Sequence, residues 1–205
     1  IVQVISPNGP YVISNSINID DALGNNNSLV DYSEFIDLIV DLQNVGSVNA
    51  NSLNLVISTL DPYVTLIDSS VNIPLIGASQ IVTTPTPFSF QVASFVPDQH
   101  TVAFNLVISD NLGNTWNSNI NIVLNAPVLD HTDFIIDDVL FGNGNGSIDA
   151  GETLDLIVNV KNIGHSDIDG LTATLGSLSS YVTVNSAASN IASLAVNGQQ
   201  STIFN

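Results

Sequence analysis

The sequence predicts an all-β protein made of tandem antiparallel β-sandwiches, and three observations predict it. A loop-and-strand stretch occurs twice: the run from Ile136-Asp137-Asp138 to Gly151-Glu152 has an earlier copy beginning at Ile19-Asp20-Asp21. Glu34 matches Glu152, Asn44 matches Asn162, Gly46 matches Gly164 and Tyr63-Val64-Thr65 matches Tyr181-Val182-Thr183, all at one offset (152 − 34 = 118). A repeat of about 118 residues has the size of a β-sandwich module. The long segments alternate apolar and polar residues with period two, the mark of half-buried antiparallel strands, and no stretch has helical periodicity. A hydrophobic content of 44% supplies a core, while no apolar run reaches the ~18 residues of a membrane helix.

Taken in order, residues 1–7 resemble the segment Ile122-Val123-Leu124-Asn125-Ala126-Pro127 and are expected to be the last strand of a preceding repeat. Pro10 and Ser14-Asn15-Ser16 read as a crossing to the next module, because Pro cannot donate to a ladder. Residues 8–127 form one complete repeat. Its first long strand, 34–44, turns Ile36, Leu38, Val40 and Leu42 inward and Asp37, Asp41 and Gln43 outward; in the later copy Leu154, Leu156, Val158 and Val160 keep the inner face. Asn44-Val45-Gly46 and Asn162-Ile163-Gly164 supply turn residues suited to positive φ. Strands follow at 53–57, 63–67, 73–76 and 87–92. The pair 101–109 and 116–124, joined through Asp110-Asn111-Leu112-Gly113-Asn114, is a hairpin signal. Trp116 is expected to pack at the sandwich end. Residues 128–205 begin the next repeat and stop before its last two strands. Such a piece reads either as a window of a longer chain or as a fold completed by strand addition from a neighbouring molecule, which would build a fibre.

One Lys or Arg against nineteen Asp and Glu gives a net charge of −18. That balance argues against nucleic acid and anionic membrane surfaces as partners, and it suits salty surroundings and cations. The lack of Cys fits an exported protein without disulfides. With no Met and no signal segment, the chain reads as an internal piece of something larger.

The loop 143–152 carries oxygen side chains at alternate positions, a Gly turn, an apolar residue, an acid, and a Glu three residues later. Much of a calcium loop has this spacing, and Ca²⁺ takes six to eight oxygens. Asn143, Asn145, Asp149 and Glu152 supply side-chain oxygens and Ser147 a backbone carbonyl, while Asp137 or Asp138 must fold back to replace the acid that Phe141 displaces. The earlier copy keeps Asp20, Asp21, Asn25, Asn27, Asp31 and Glu34, but Ser28 stands where the turn Gly is, so that site is expected to be the weaker. The competing reading is a solvated Asn/Gly turn whose carboxylates satisfy backbone donors.

No catalytic residues are assigned. His100, His131 and His165 fall in loops or at strand ends without metalloprotease spacing. Asp37 and Asp41 are expected roughly 13 Å apart on an outer face, too far for a glycosidase pair.

The pattern from Gly142-Asn143-Gly144-Asn145-Gly146 through Ala150-Gly151-Glu152-Thr153, followed by Leu156-Ile157-Val158-Asn159-Val160-Lys161-Asn162-Ile163-Gly164, resembles the immunoglobulin-like module appended to gingipain-type cysteine peptidases and other large secreted proteins. The run 96–104 and Gly113-Asn114-Thr115-Trp116 resemble the closing half of the same module. The resemblance implies tandem immunoglobulin-like sandwiches and export by the type IX pathway of Gram-negative bacteria. The expected function is a non-catalytic stalk, spacer or filament segment at the cell surface or outside the cell, stiffened by Ca²⁺. Its partners would be neighbouring domains or identical subunits, with neither nucleic acid nor membrane insertion. The alternatives are the accessory region of a secreted cysteine peptidase, and an adhesin binding carbohydrate or a host surface through Tyr32, Phe35 and Trp116.

Overall fold

The computed structural model describes residues 7–205, and the strand expected at 1–7 falls almost wholly outside them. The chain is all-β and its sheets are antiparallel; every regular element among the described residues is a strand. Two compact units divide it, the first ending at Asn125 and the second running from Ala126 to Asn205.

The first unit contains β1 (Val12–Asp20), β2 (Phe35–Asn44), β3 (Ala50–Ser58), β4 (Val64–Asp68), β5 (Ser70–Ile76), β6 (Ile81–Thr83), β7 (Phe88–Val92), β8 (His100–Ser109) and β9 (Thr115–Leu124). One sheet has the order β1-β2-β7-β4, with β6 also paired to β2; the other has the order β5-β3-β8-β9. The alternation expected in β2 holds, since Ile36, Leu38, Val40 and Leu42 are all buried. Leu53, Leu55 and Ile57 of β3 and Val102, Phe104, Leu106 and Ile108 of β8 are buried from the other sheet. The two faces meet across one core, where the rings of Phe90 and Phe104 lie 5.1 Å apart. Trp116 is buried on β9, so the indole serves packing and offers no exposed platform.

Three sequence expectations are corrected. The polar run after Pro10 is no crossing: it lies in β1, which pairs with β2 from Val12↔Asn44 to Asp20↔Asp37 and carries a bulge between Ser14 and Ser16. An edge strand with a bulge loses its apolar alternation and tolerates Ser and Asn, so it reads as a linker. Strand β6 went unforeseen for a similar reason. It is three residues long and is cut from β7 by the segment with Pro85 and Pro87, which cannot continue a ladder.

The third correction concerns the Asn-x-Gly turns, where neither Asn44 nor Gly46 has positive φ. Asn44 is fully buried. Its Oδ1 accepts the N–H groups of Tyr11 and Gly46 at 3.1 and 3.0 Å, and its Nδ2 donates to the carbonyls of Val48 and Ile76 at 2.8 and 3.1 Å. Gly46 is required by close approach, because a Cβ there would stand 2.0 Å from the carbonyl oxygen of Gly9.

The second unit contains β10 (Leu129–Asp137), β11 (Asp155–Asn162), β12 (Ile168–Thr174), β13 (Ala188–Leu194) and β14 (Gln199–Phe204). Its sheets have the orders β10-β11-β14 and β12-β13. Strand β10 pairs with β11 from Leu129↔Asn162 to Asp137↔Asp155, with a bulge between His131 and Asp133, the counterparts of Ser14 and Ser16. Asn162 repeats all four bonds of Asn44, accepting from Val128 and Gly164 and donating to Ser166 and Leu194.

Two differences separate the units. Tyr181-Val182-Thr183 match the start of β4 in sequence, yet they form no strand, and Tyr181 is almost fully exposed. The inner face of β11 is only half-buried, whereas that of β2 is fully buried. Among the described residues the second unit has no counterpart of the β8–β9 hairpin to cover that face.

Candidate functional site

Each unit places its Asp/Asn loop between its first two strands, and the loop is closed by its own acceptors. In the first unit the loop leaves β1 at Asp20 and rejoins β2 after Glu34. Asp20 accepts the N–H of Ala22, which turns the chain. Asp21 Oδ2 accepts the N–H groups of Asn27 and Ser28 at 2.8 and 3.0 Å. Asn25 Oδ1 accepts from Asn27 N–H and Asn27 Oδ1 from Leu29 N–H, two successive side-chain turns. The carboxamides of Asn25 and Asn27 both donate to Asp31 Oδ2, at 2.8 and 2.9 Å. Glu34 Oε1 accepts from Asn25 N–H and Oε2 from Asp31 N–H.

The second loop repeats this arrangement. Asp137 accepts from Val139 N–H, and Asp138 accepts from Asn145 and Gly146. Asn143 and Asn145 donate to Asp149 Oδ2 at 2.9 and 2.8 Å. Glu152 accepts from Asn143 N–H and Asp149 N–H. Ser147 donates its N–H to Asn145 Oδ1. The loops differ in length by one residue, because the first has Ala22-Leu23 between Asp21 and Gly24 where the second has Val139-Leu140-Phe141.

Left-handed backbone recurs at matched positions. Asn26, Ser28 and Ser33 have φ of 58°, 65° and 64°; their counterparts Gly144, Gly146 and Gly151 have 74°, 73° and 87°. Ser28 thus adopts the turn that Gly was expected to require, and the first loop forms without it.

Burial separates the loops in a way the sequence did not indicate. Asp21, Asp31 and Glu34 are 2%, 1% and 8% exposed, and one oxygen of Asp31, Oδ1, is buried with no hydrogen-bond partner. A parallel bridge between Asp31 and Asn125 ties down the end of the first loop, with Tyr32 N–H donating to the Asn125 carbonyl and Asn125 N–H to that of Val30. In the second loop Asp138 is buried, but Asp149 is exposed. Burial, reinforced by the neighbouring carboxylates of Asp31 and Asp21, raises the pKa of Glu34 against the pull of two backbone N–H donors. Asp149 is held below the ordinary carboxylate range by the Asn145 and Asn143 carboxamides.

The predicted ligands are therefore brought together in both loops, most of them turned toward backbone donors. Among the described residues no three His, Asp or Glu side chains already stand in metal-ligating geometry. Sequence reasoning missed the part of Asn125, which is distant in the chain and carries no local signal.

The other polar groups are local. His100 Nε2 lies 2.6 Å from Asp61 Oδ2, with the Tyr63 ring packed edge-on against the imidazole. His131 lies beside Asp130 on β10. Asp37 accepts from Ser89, and Asp41 accepts from Ser16 and Thr83. A cavity of about 240 Å³ in the second unit is lined by Leu154, Leu156, Leu175, Tyr181, Val182 and Phe204 among others. It marks the uncovered inner face described above.

No protein-family model and no curated protein matches the chain. Among solved structures the chain is similar to the YadV chaperone, at 13% identity over 92% of this chain and 85% of that one, with a TM-score of 0.31. It is also similar to the secreted serine protease VesC from Vibrio cholerae, at 11% identity over 85% of this chain and 41% of that one, with a TM-score of 0.30.

Proposed function

We propose that the chain is a non-catalytic structural repeat of a bacterial secreted or cell-surface protein: tandem immunoglobulin-like sandwiches serving as a stalk, spacer or filament segment. The observation that carries this reading is the repetition of one scaffold down to its buried polar bonds. Asn44 and Asn162 make the same four hydrogen bonds, and the bulges after Ser14 and His131 fall at the same place in the ladder. A module whose repeated features are its folding determinants is a building unit, and stacking such units extends a structure. The acidic composition keeps an array of this kind soluble and self-repelling. The accessory region of a secreted cysteine peptidase is the same module in another parent protein.

A second reading is favoured by the half-buried inner face of β11 and the exposed Phe134 of β10, which stands opposite Val158 on that same face. Further strands, from this polypeptide or a neighbouring one, would cover that face by β-addition. The test is the polypeptide mass under strong denaturant compared with the particle size in native buffer. A long polypeptide of many repeats supports the stalk, and a short one in a large native assembly supports strand addition. A monomer of compact size that hydrolyses peptides or glycans would overturn both.

A further inference from the structure

We propose that the first loop is a Ca²⁺ site centred on Asp31, with Asp21 and Glu34 as the other carboxylates and the carboxamide oxygens of Asn25 and Asn27 completing the donor set. Two independent observations carry it. Three carboxylates of one loop are at least nine-tenths buried. The single Lys or Arg of the sequence is Lys161, on β11 of the other unit, so no such cation of the first unit offsets them. Hydrogen bonds meet part of the cost of burying these carboxylates, and a bound cation would offset the rest.

The second observation is Asp31 Oδ1, buried with no donor facing it, while Oδ2 already accepts two carboxamide N–H bonds. Buried polar atoms are otherwise almost always paired, and a lone acceptor on a carboxylate points to an absent positive centre. The side chains of the loop offer carboxylate and carboxamide oxygens, with neither sulfur nor imidazole among them. Hard oxygen ligands select Ca²⁺ or Mg²⁺ over zinc or copper. An irregular loop offering carboxylate and amide oxygens suits the larger, less directional Ca²⁺, since Mg²⁺ requires a near-octahedral shell. Asn25 and Asn27 each use their Oδ1 for one backbone N–H, which leaves a second lone pair for an ion. The carboxylates do not yet converge on one point, so binding draws Asp21 and Glu34 partly away from backbone donors.

In the second loop Asp149 is exposed, so the argument from burial applies to the first loop. This inference is independent of the array reading, which stands whether or not the loop binds an ion.

The test uses the full chain after chelator treatment, titrated with CaCl₂ by calorimetry at fixed ionic strength. Unfolding of the first unit is followed through Trp116, the one tryptophan. One equivalent is expected to bind to the first unit, and its midpoint is expected to rise by roughly 10 °C at a hundred times Kd. Asp31→Asn should remove that response and Asp149→Asn should keep it; should Asp31→Asn not fold, Asp21→Asn gives the same readout. No heat and no shift with millimolar Ca²⁺ would overturn the site. So would a rise matched by Mg²⁺ at equal ionic strength, which is screening, or a loss of response in Asp149→Asn.

Discussion

The carboxamide of Asn44 on β2 donates to the carbonyl of Ile76 on β5 over 3.1 Å, joining the two sheets of the first unit through a residue with no solvent exposure. Its counterpart Asn162 reaches Leu194 over 3.2 Å in the second unit. A buried polar side chain with every donor and acceptor used fixes how two sheets meet, because any other docking would leave those groups unpaired.

Replacing Asn44 with Ala strips partners from two N–H groups and two carbonyls at once. A loss of about 3 kcal/mol or more is expected for the first unit, read from urea unfolding followed by Trp116 fluorescence. A loss below about 1 kcal/mol would mean that water takes over the bonds and that the Asn does not specify the docking.

Ser33 holds φ of 64° where the matched residue is Gly151. Left-handed backbone costs a non-glycine residue about 1 kcal/mol. Ser33→Gly is therefore expected to stabilise the first unit by up to about 1 kcal/mol, and Gly151→Ser to destabilise the second by a similar amount. Thermal melts of the two variants check the pair, and destabilisation by Ser33→Gly would contradict the strain argument.

Leu38 and Leu156 are matched residues with different surroundings, the first fully buried and the second half-buried. Leu38→Ala is expected to cost about 2–5 kcal/mol, and Leu156→Ala clearly less. Equal losses in denaturant titrations would show that further strands already cover β11 in solution.

Asp41 is held below the usual carboxylate range by the hydroxyls of Thr83 and Ser16. A depressed folded-state pKa contributes stability that is present above the unfolded value of 3.8 and lost as pH falls through the folded one. Asp41→Asn should therefore lower stability modestly above about pH 4, where the wild-type carboxylate is ionised, and flatten the acid limb below it, the two proteins converging at low pH. A profile that keeps the wild-type slope would assign the acid limb to other carboxylates.

Much of the scaffold is legible in the sequence. Period-two alternation in β2, β3 and β8 records which face is buried, because side chains on a strand alternate sides. The hairpin of β8 and β9 is announced by its turn, where Asp110 accepts from Leu112 and Asn114 and Gly113 takes φ of 84°. Strands β1 and β10 were not legible, since an edge strand with a bulge has no alternation to read. The loops were legible as Asp/Asn turns, whereas Asn44 resembled a turn residue because its type suits both a turn and a buried crosslink.

The sequence by itself determined the all-β class, the repeat and the acceptors of each loop, since these depend on local spacing and on the identity of neighbouring residues. Tertiary structure alone decided that Asp21, Asp31 and Glu34 of the first loop are buried. Asn125, just past the end of β9, folds back to bridge Asp31, which is buried. That burial has no local signal, because the energy of a carboxylate depends on the solvent it loses and on the groups that long-range packing puts in place of that solvent.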